Sequence, residues 1–238
     1  MQQRCDADAV DPDKRLAKNE THNGVGAIQW NYDRAEIIAD GVVHALGISL
    51  GLGAAVTLLI LTEYATFINP GVVAVYAVCL LTMLVLSAAY NLCPVSPLKW
   101  LFRRLDQSAI YLLMAATYTP FISQLKDDGS LSTSLLIAIW SSAIAGILIR
   151  LLFPGRFDIV SIVLYVAMGW SGIIAYDKAT ASLPFSVIAF IAAGGVLYTV
   201  GVIFHLWERL RYQNAIWHSF VLLGAACHFT AVLDLISV

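Results

Sequence analysis

Ser87, Asn91, Asp106, Asn214 and His218 are the residues whose types and spacing point to chemistry. Ser87 and Asn91 are four apart, as are Asn214 and His218, so on helices each pair shares a face. Asp106 follows the first pair across a basic segment carrying Lys99, Arg103 and Arg104. A carboxylate can take a proton from water, and an imidazole can move a proton or bind a metal. His44 and Cys93 are accessory candidates, because each offers a further donor of metal-ligating type. Simpler structural roles stand beside these. Asp106 is well placed to N-cap the helix it opens, Asn91 to C-cap the helix before Pro94, and His44 to bond between helices. His205 reads as interfacial. His228 lies about 15 Å beyond His218 along the same helix and reads as a packing histidine.

The elements that position these residues are membrane spans. The chain has 238 residues, of which 59% are apolar and 13% charged, whereas a soluble domain is about a quarter charged. Uncharged intervals separate Asp40 from Glu63, Glu63 from Lys99, Asp106 from Lys126, Asp128 from Arg150, Asp158 from Asp177, Lys178 from Glu208, and Arg211 from Asp234. Each holds roughly the ~20 residues that cross a bilayer. The expectation is an all-α membrane protein, a bundle of seven transmembrane helices at about 41–61, 71–90, 107–124, 131–152, 159–176, 184–205 and 215–235. They form one domain, 36–238, after a polar, flexible tail over 1–35. Ala35–Asp40 reads as a short interfacial helix leading into the first span. The first span doubles as an insertion signal, since the tail lacks an apolar segment. The 47–51 pair of glycines permits close helix packing, and Pro120 kinks or ends the third span. The four cysteines suggest no disulfide framework. No basic tract for nucleic acid exists beyond short loops.

Lys and Arg counts set the orientation. With seven spans, twelve basic residues fall on one face and two, Lys126 and Lys178, on the other. That predicts a cytoplasmic N-terminus and an outside C-terminus. Trp30, Trp100, Trp207 and Trp217 then form an aromatic belt at the cytoplasmic boundary. On this topology Ser87, Asn91, Asp106, His44, His205, Asn214 and His218 all lie near that boundary. Intramembrane polar groups face the bundle interior, so a pocket open to the cytoplasm is expected.

The segments AEIIADGVVHALG, SAAYNLCP, LDQSAIYLLMAATYTPF, FDIVSIVLYVAMGW and YQNAIWHSFVLLGAACHF, in order along nearly all the membrane part, resemble the hemolysin III family. That family is the bacterial branch of the progestin and adipoQ receptor (PAQR) superfamily. The resemblance implies a seven-helix inner-membrane protein acting on membrane lipids, a cytoplasm-facing zinc site and ceramidase-like amide hydrolysis, with an older label as a haemolytic pore. It places Ser87 and Asp106 in catalytic positions and puts the zinc ligands at 91, 214 and 218. Here Asn91 and Asn214 stand where histidines are expected, and His218 alone keeps an imidazole. Two amides and one imidazole make a weak zinc site. The favoured expectation is therefore lipid homeostasis with the metal chemistry weakened or lost. The alternatives are a zinc-dependent lipid amidase, with His44, Cys93 or Asp106 as replacement ligands, and a pore. A pore fits poorly, because the outer halves of the spans offer no continuous polar path.

Overall fold

The computed structural model describes residues 32–65, 68–126, 129–153, 156–207 and 209–237. The tail expected over 1–35, with Trp30 and Cys5, lies outside them up to Asn31. The described residues form helices and short connections without strands. The helices are α1 (Arg34–Thr62), α2 (Pro70–Leu92), α3 (Pro97–Ile122), α4 (Ser130–Leu152), α5 (Asp158–Trp170), α6 (Tyr176–Ser182), α7 (Phe185–Leu206) and α8 (Gln213–Ser237). A 3₁₀ segment, Ser171–Ala175, joins α5 to α6. Among the described residues, six segments are long and apolar enough to cross a membrane: α1, α2, α4, Ile159–Ser182, α7 and α8. Apolar side chains such as Leu50, Ile137, Ile174 and Phe185 are exposed. Such a surface is an aggregation hazard in water, and on spanning helices it is the face that meets acyl chains.

Successive helices are neighbours. α1 packs on α2, α2 on α3, α3 on α4 and α7 on α8, while α8 closes back on α1. α3 touches α2, α4, α5 and α8 and is the shared strut of the bundle. One of its faces, with Leu113, Ala116 and Phe121, joins a core with Tyr76, Leu80, Val187 and Val232. Another, with Tyr111, Ala115 and Ile122, joins Ile139, Ala143 and Met168.

Two starts differ from the sequence reading. α1 is one continuous helix rather than an interfacial piece followed by a span. It is opened by a capping box in which the Glu36 amide donates to Asp33 Oδ1 (2.8 Å) and the Asp33 amide to Glu36 Oε2 (2.9 Å). The bond from the Glu36 amide holds the exposed Asp33 carboxyl below its ordinary pKa. The cap therefore persists through neutral pH and loosens only as pH falls through that lowered value. α3 starts at Pro97 rather than near Gln107, with Ser96 as its N-cap. The basic segment is helical, and Asp106 sits in the third turn rather than at a cap. The reason is local: Ser followed by Pro at the first helical position is a strong start signal.

Lys99, expected on a solvated loop, is buried and works as a cap. Its ammonium donates to the carbonyls of Tyr90 (3.0 Å), Asn91 (3.3 Å) and Cys93 (2.8 Å), the open end of α2. A cation at a helix C-terminus also opposes the helix dipole. Lys99→Met keeps the aliphatic stem and strands those carbonyls. It should cost about 1.5–3 kcal/mol, read as a lower unfolding temperature in detergent.

The segment Ile159–Ser182, expected as one helix over 159–176, is broken rather than continuous. At the break the Tyr118 hydroxyl donates to the Gly169 carbonyl (2.7 Å) and accepts from the Gly172 amide (3.1 Å). In lipid such freed backbone groups must be satisfied internally, and α3 supplies the partner. Pro120 lies in the last turn of α3 and marks its end.

Candidate functional site

The starts of α1 and α8 are pinned together. Glu36 Oε1 accepts from the Tyr212 amide (3.1 Å), and Tyr212 takes a left-handed conformation (φ 60°) just before α8. Arg211 reaches Asp33 at 3.4 Å; both are largely exposed, so this pair adds little. From that fixed start, Asp40 lies one turn into α1 and His218 about 9 Å into α8. The two meet: His218 Nδ1 is 2.6 Å from Asp40 Oδ1. His44, one turn beyond Asp40, places Nε2 3.5 Å from Asp40 Oδ2. The two imidazole rings lie 4.5 Å apart. Asp40 and His44 are 5% and 4% exposed. His44 Nε2 is buried and makes no hydrogen bond among the described residues.

Ser87 and Asp106 are next to this cluster. Asp106 interacts with the Ser87 hydroxyl and lies within electrostatic range of His218, His44 and Arg103. Ser87, Asp106 and His218 line one end of a cavity of about 380 Å³. It continues along α3 to Leu125, about 28 Å at 1.5 Å per residue. Beyond the polar end its walls are mostly apolar, with Met83, Leu113, Val166, Ile188 and Val221 among them. A wide cavity with ionisable groups at one end suits an amphiphile.

Other expected site residues are placed differently. Asn91 turns back on its own helix, its Nδ2 donating to the Ser87 carbonyl (2.9 Å). Asn91 and Asn214 line a shallow cleft with Glu36, Asp40 and Gln213. Cys93 ends α2, with its sulfur 3.9 Å from Ser96 Oγ, and is not among the donors that converge. His205 lies tilted against the Trp217 ring (centroids 5.0 Å apart) at the end of α7. His228 lies against Tyr198 (5.3 Å) and the Ile191 carbonyl (3.3 Å), a packing role.

The residue that sequence reasoning passed over is Asp40, counted only as the charge bounding the first span. Its spacing of four from His44 was the available signal. It bears on the zinc ion that the resemblance implies. Asn91, Asn214 and His218 alone fit zinc poorly. Asp40, His44 and His218 fit it well: two imidazoles and a carboxylate, with one donor atom from each within 4.8 Å of the others.

A family model described as "Haemolysin-III related" matches residues 35–229. The chain is 37% identical over 200 residues to the "Hemolysin-3 homolog" of Bacillus subtilis (strain 168), covering 83% of this chain and 93% of that one. It is 38% identical over 199 residues to "Hemolysin-3" of Bacillus cereus, covering 83% and 90%. It is 29% identical over 132 residues to the "Monocyte to macrophage differentiation factor" of Homo sapiens, covering 55% and 54%. With the model spanning α1 to most of α8 and both bacterial relatives covered almost end to end, this multi-pass membrane protein belongs to the haemolysin-III related family, within the PAQR superfamily.

Proposed function

We propose that this protein acts in membrane lipid homeostasis by hydrolysing a lipid, an amide of ceramide type being the first substrate class to test. It does so from seven crossings of the cell inner membrane, with a cytoplasmic N-terminus. α3 is the seventh crossing, its apolar part running over 107–122 behind a charged first third. The observation that carries the reading is the buried cluster of ionisable side chains at one end of a long apolar cavity. Ionisable residues inside a membrane protein are costly and mark functional sites.

Each residue has a task. The apolar walls bind the acyl chain and keep bulk water from it. Asp106, held against Ser87, accepts the proton of an attacking water. Asp40 fixes the orientation of His218 through the contact at Nδ1. Asp106 then returns that proton to the leaving amine. A divalent ion held by Asp40, His44 and His218 would polarise the scissile carbonyl and acidify the water. The presence of Asp40 and His44 shifts the balance from the metal-poor expectation toward this alternative. The names of the Bacillus relatives point to haemolysis, but the mostly apolar cavity walls offer ions no polar path.

The test is turnover by purified protein in liposomes, with products followed by mass spectrometry. Wild type should release fatty acid from a ceramide-like lipid, and Asp106→Ala should lower the rate by roughly 10²–10⁴-fold. Folded wild type that leaves both ceramide-like lipids and phospholipids intact would refute the hydrolase.

A further inference from the structure

We propose that this chain holds its metal from α1: Asp40 and His44, together with His218 of α8, ligate a divalent transition ion, in place of the set at 91, 214 and 218. The inference concerns the same site as the proposed hydrolysis but does not rest on turnover.

Four observations converge. Asp40 and His44 are one helical turn apart, so one rigid element presents a carboxylate and an imidazole to the same point. His218 enters from a second helix whose start is fixed on α1 through the Glu36–Tyr212 bond. One donor atom from each of the three residues falls within 4.8 Å of the others. Finally, His44 Nε2 is buried and makes no hydrogen bond among the described residues, its contact with Asp40 Oδ2 being long at 3.5 Å. A buried imidazole nitrogen without a hydrogen bond is costly, and a cation is the ligand that a neutral imidazole and a carboxylate can share. Asp40 also brings the negative charge that amide ligands lack.

The chemistry of the set narrows the ion. Two imidazoles and one carboxylate suit zinc, or ferrous iron, and not the all-oxygen shells of calcium or magnesium. Three protein ligands leave a coordination position for water, as catalytic rather than structural zinc sites do. The contrast with the other set is direct. Asn91 spends its Nδ2 on the Ser87 carbonyl of its own helix, and its amide oxygen is a weak, neutral donor. Histidine at 91 and 214 is thus not needed for a metal here.

The test is ion retention by the full-length protein purified in detergent, measured by elemental analysis and by competition with a chelator. Wild type should keep about one zinc or iron per chain. Asp40→Asn and His44→Gln should each weaken retention by at least about tenfold, while Asn91→Ala and Asn214→Ala should stay within about threefold of wild type. In wild type loaded with Co²⁺, visible absorption of a four-coordinate nitrogen–oxygen site reports the same ligands even if a variant folds poorly. Wild type without a tightly held transition ion would overturn the proposal. So would retention that survives both α1 substitutions but is lost in Asn91→Ala or Asn214→Ala. An ion retained as expected by protein that turns over no lipid would uphold the metal site and remove only the hydrolase.

Discussion

His218→Ala should be the most damaging single substitution in this protein, lowering stability by about 3 kcal/mol and abolishing the proposed lipid turnover. Asp40 is 5% exposed, and its shortest contact is the 2.6 Å bond to His218 Nδ1. Removing the hydrogen-bond partner of a buried carboxylate costs about 3 kcal/mol or more, because the charged group is left unsatisfied. His44 stays within 3.5 Å of the same carboxylate, which puts the cost at the lower end. The penalty belongs to the stranded carboxylate, and this gives a second, sharper expectation. Asp40→Asn combined with His218→Ala should be more stable than His218→Ala alone, though equally inactive. Unfolding temperatures of the two variants in one detergent decide this. If the double variant is less stable than the single one, the carboxylate was not stranded and the pairing is misassigned.

Gly201→Ala should cost about 1–3 kcal/mol and lower turnover as well, although the residue does not line the cavity. α7 and α8 approach closely through small residues. A Cβ on Gly201 would fall 2.9 Å from Phe220 Cβ and 3.0 Å from the Trp217 ring. Phe220 Cβ is next to the backbone and cannot swing away, so the helices must separate. Trp217 adjoins His218, and the displacement reaches the site. Gly195→Ala, on the same helix, is the control: its nearest neighbour would be the Trp170 ring at 3.8 Å, an ordinary contact. It should unfold like wild type. Equal unfolding temperatures for the two variants would show that the α7–α8 interface is looser than this geometry.

That the chain is a succession of apolar helices was legible in the sequence, because empty intervals between charges are the direct imprint of lipid on composition. Among the described residues six segments are long and apolar enough to cross, and the expected span 159–176 is instead two helices joined by a 3₁₀ segment. The small-residue pair in α1 was legible too, and both glycines face Leu84 of α2. Other features were legible but misread. Ser96 and Pro97 announce a helix start, yet the basic residues after them suggested a loop. Lys99 could not be assigned from sequence, since its three carbonyl partners lie at the end of the preceding helix. Asp40 was hidden for a related reason. It bonds to a residue 178 positions away, and its one local signal is the spacing of four from His44. The resemblance drew attention to Asn91 and Asn214, positions defined by other chains. The donors that this chain brings together became visible only once α1 and α8 were set side by side.

The central claim is that the cavity holds a lipid with its head group at the Ser87, Asp106 and His218 end. Photo-crosslinking tests it most directly, using two lipids that carry the reactive group near the head or near the tail. The head-group probe should label peptides containing Ser87, Asp106 or His218, and the tail probe should label the Phe121–Leu125 and Tyr176–Leu183 region. Labelling of outward-facing positions such as Leu50 and Ile137 by both probes, with the cavity residues untouched, would contradict the account.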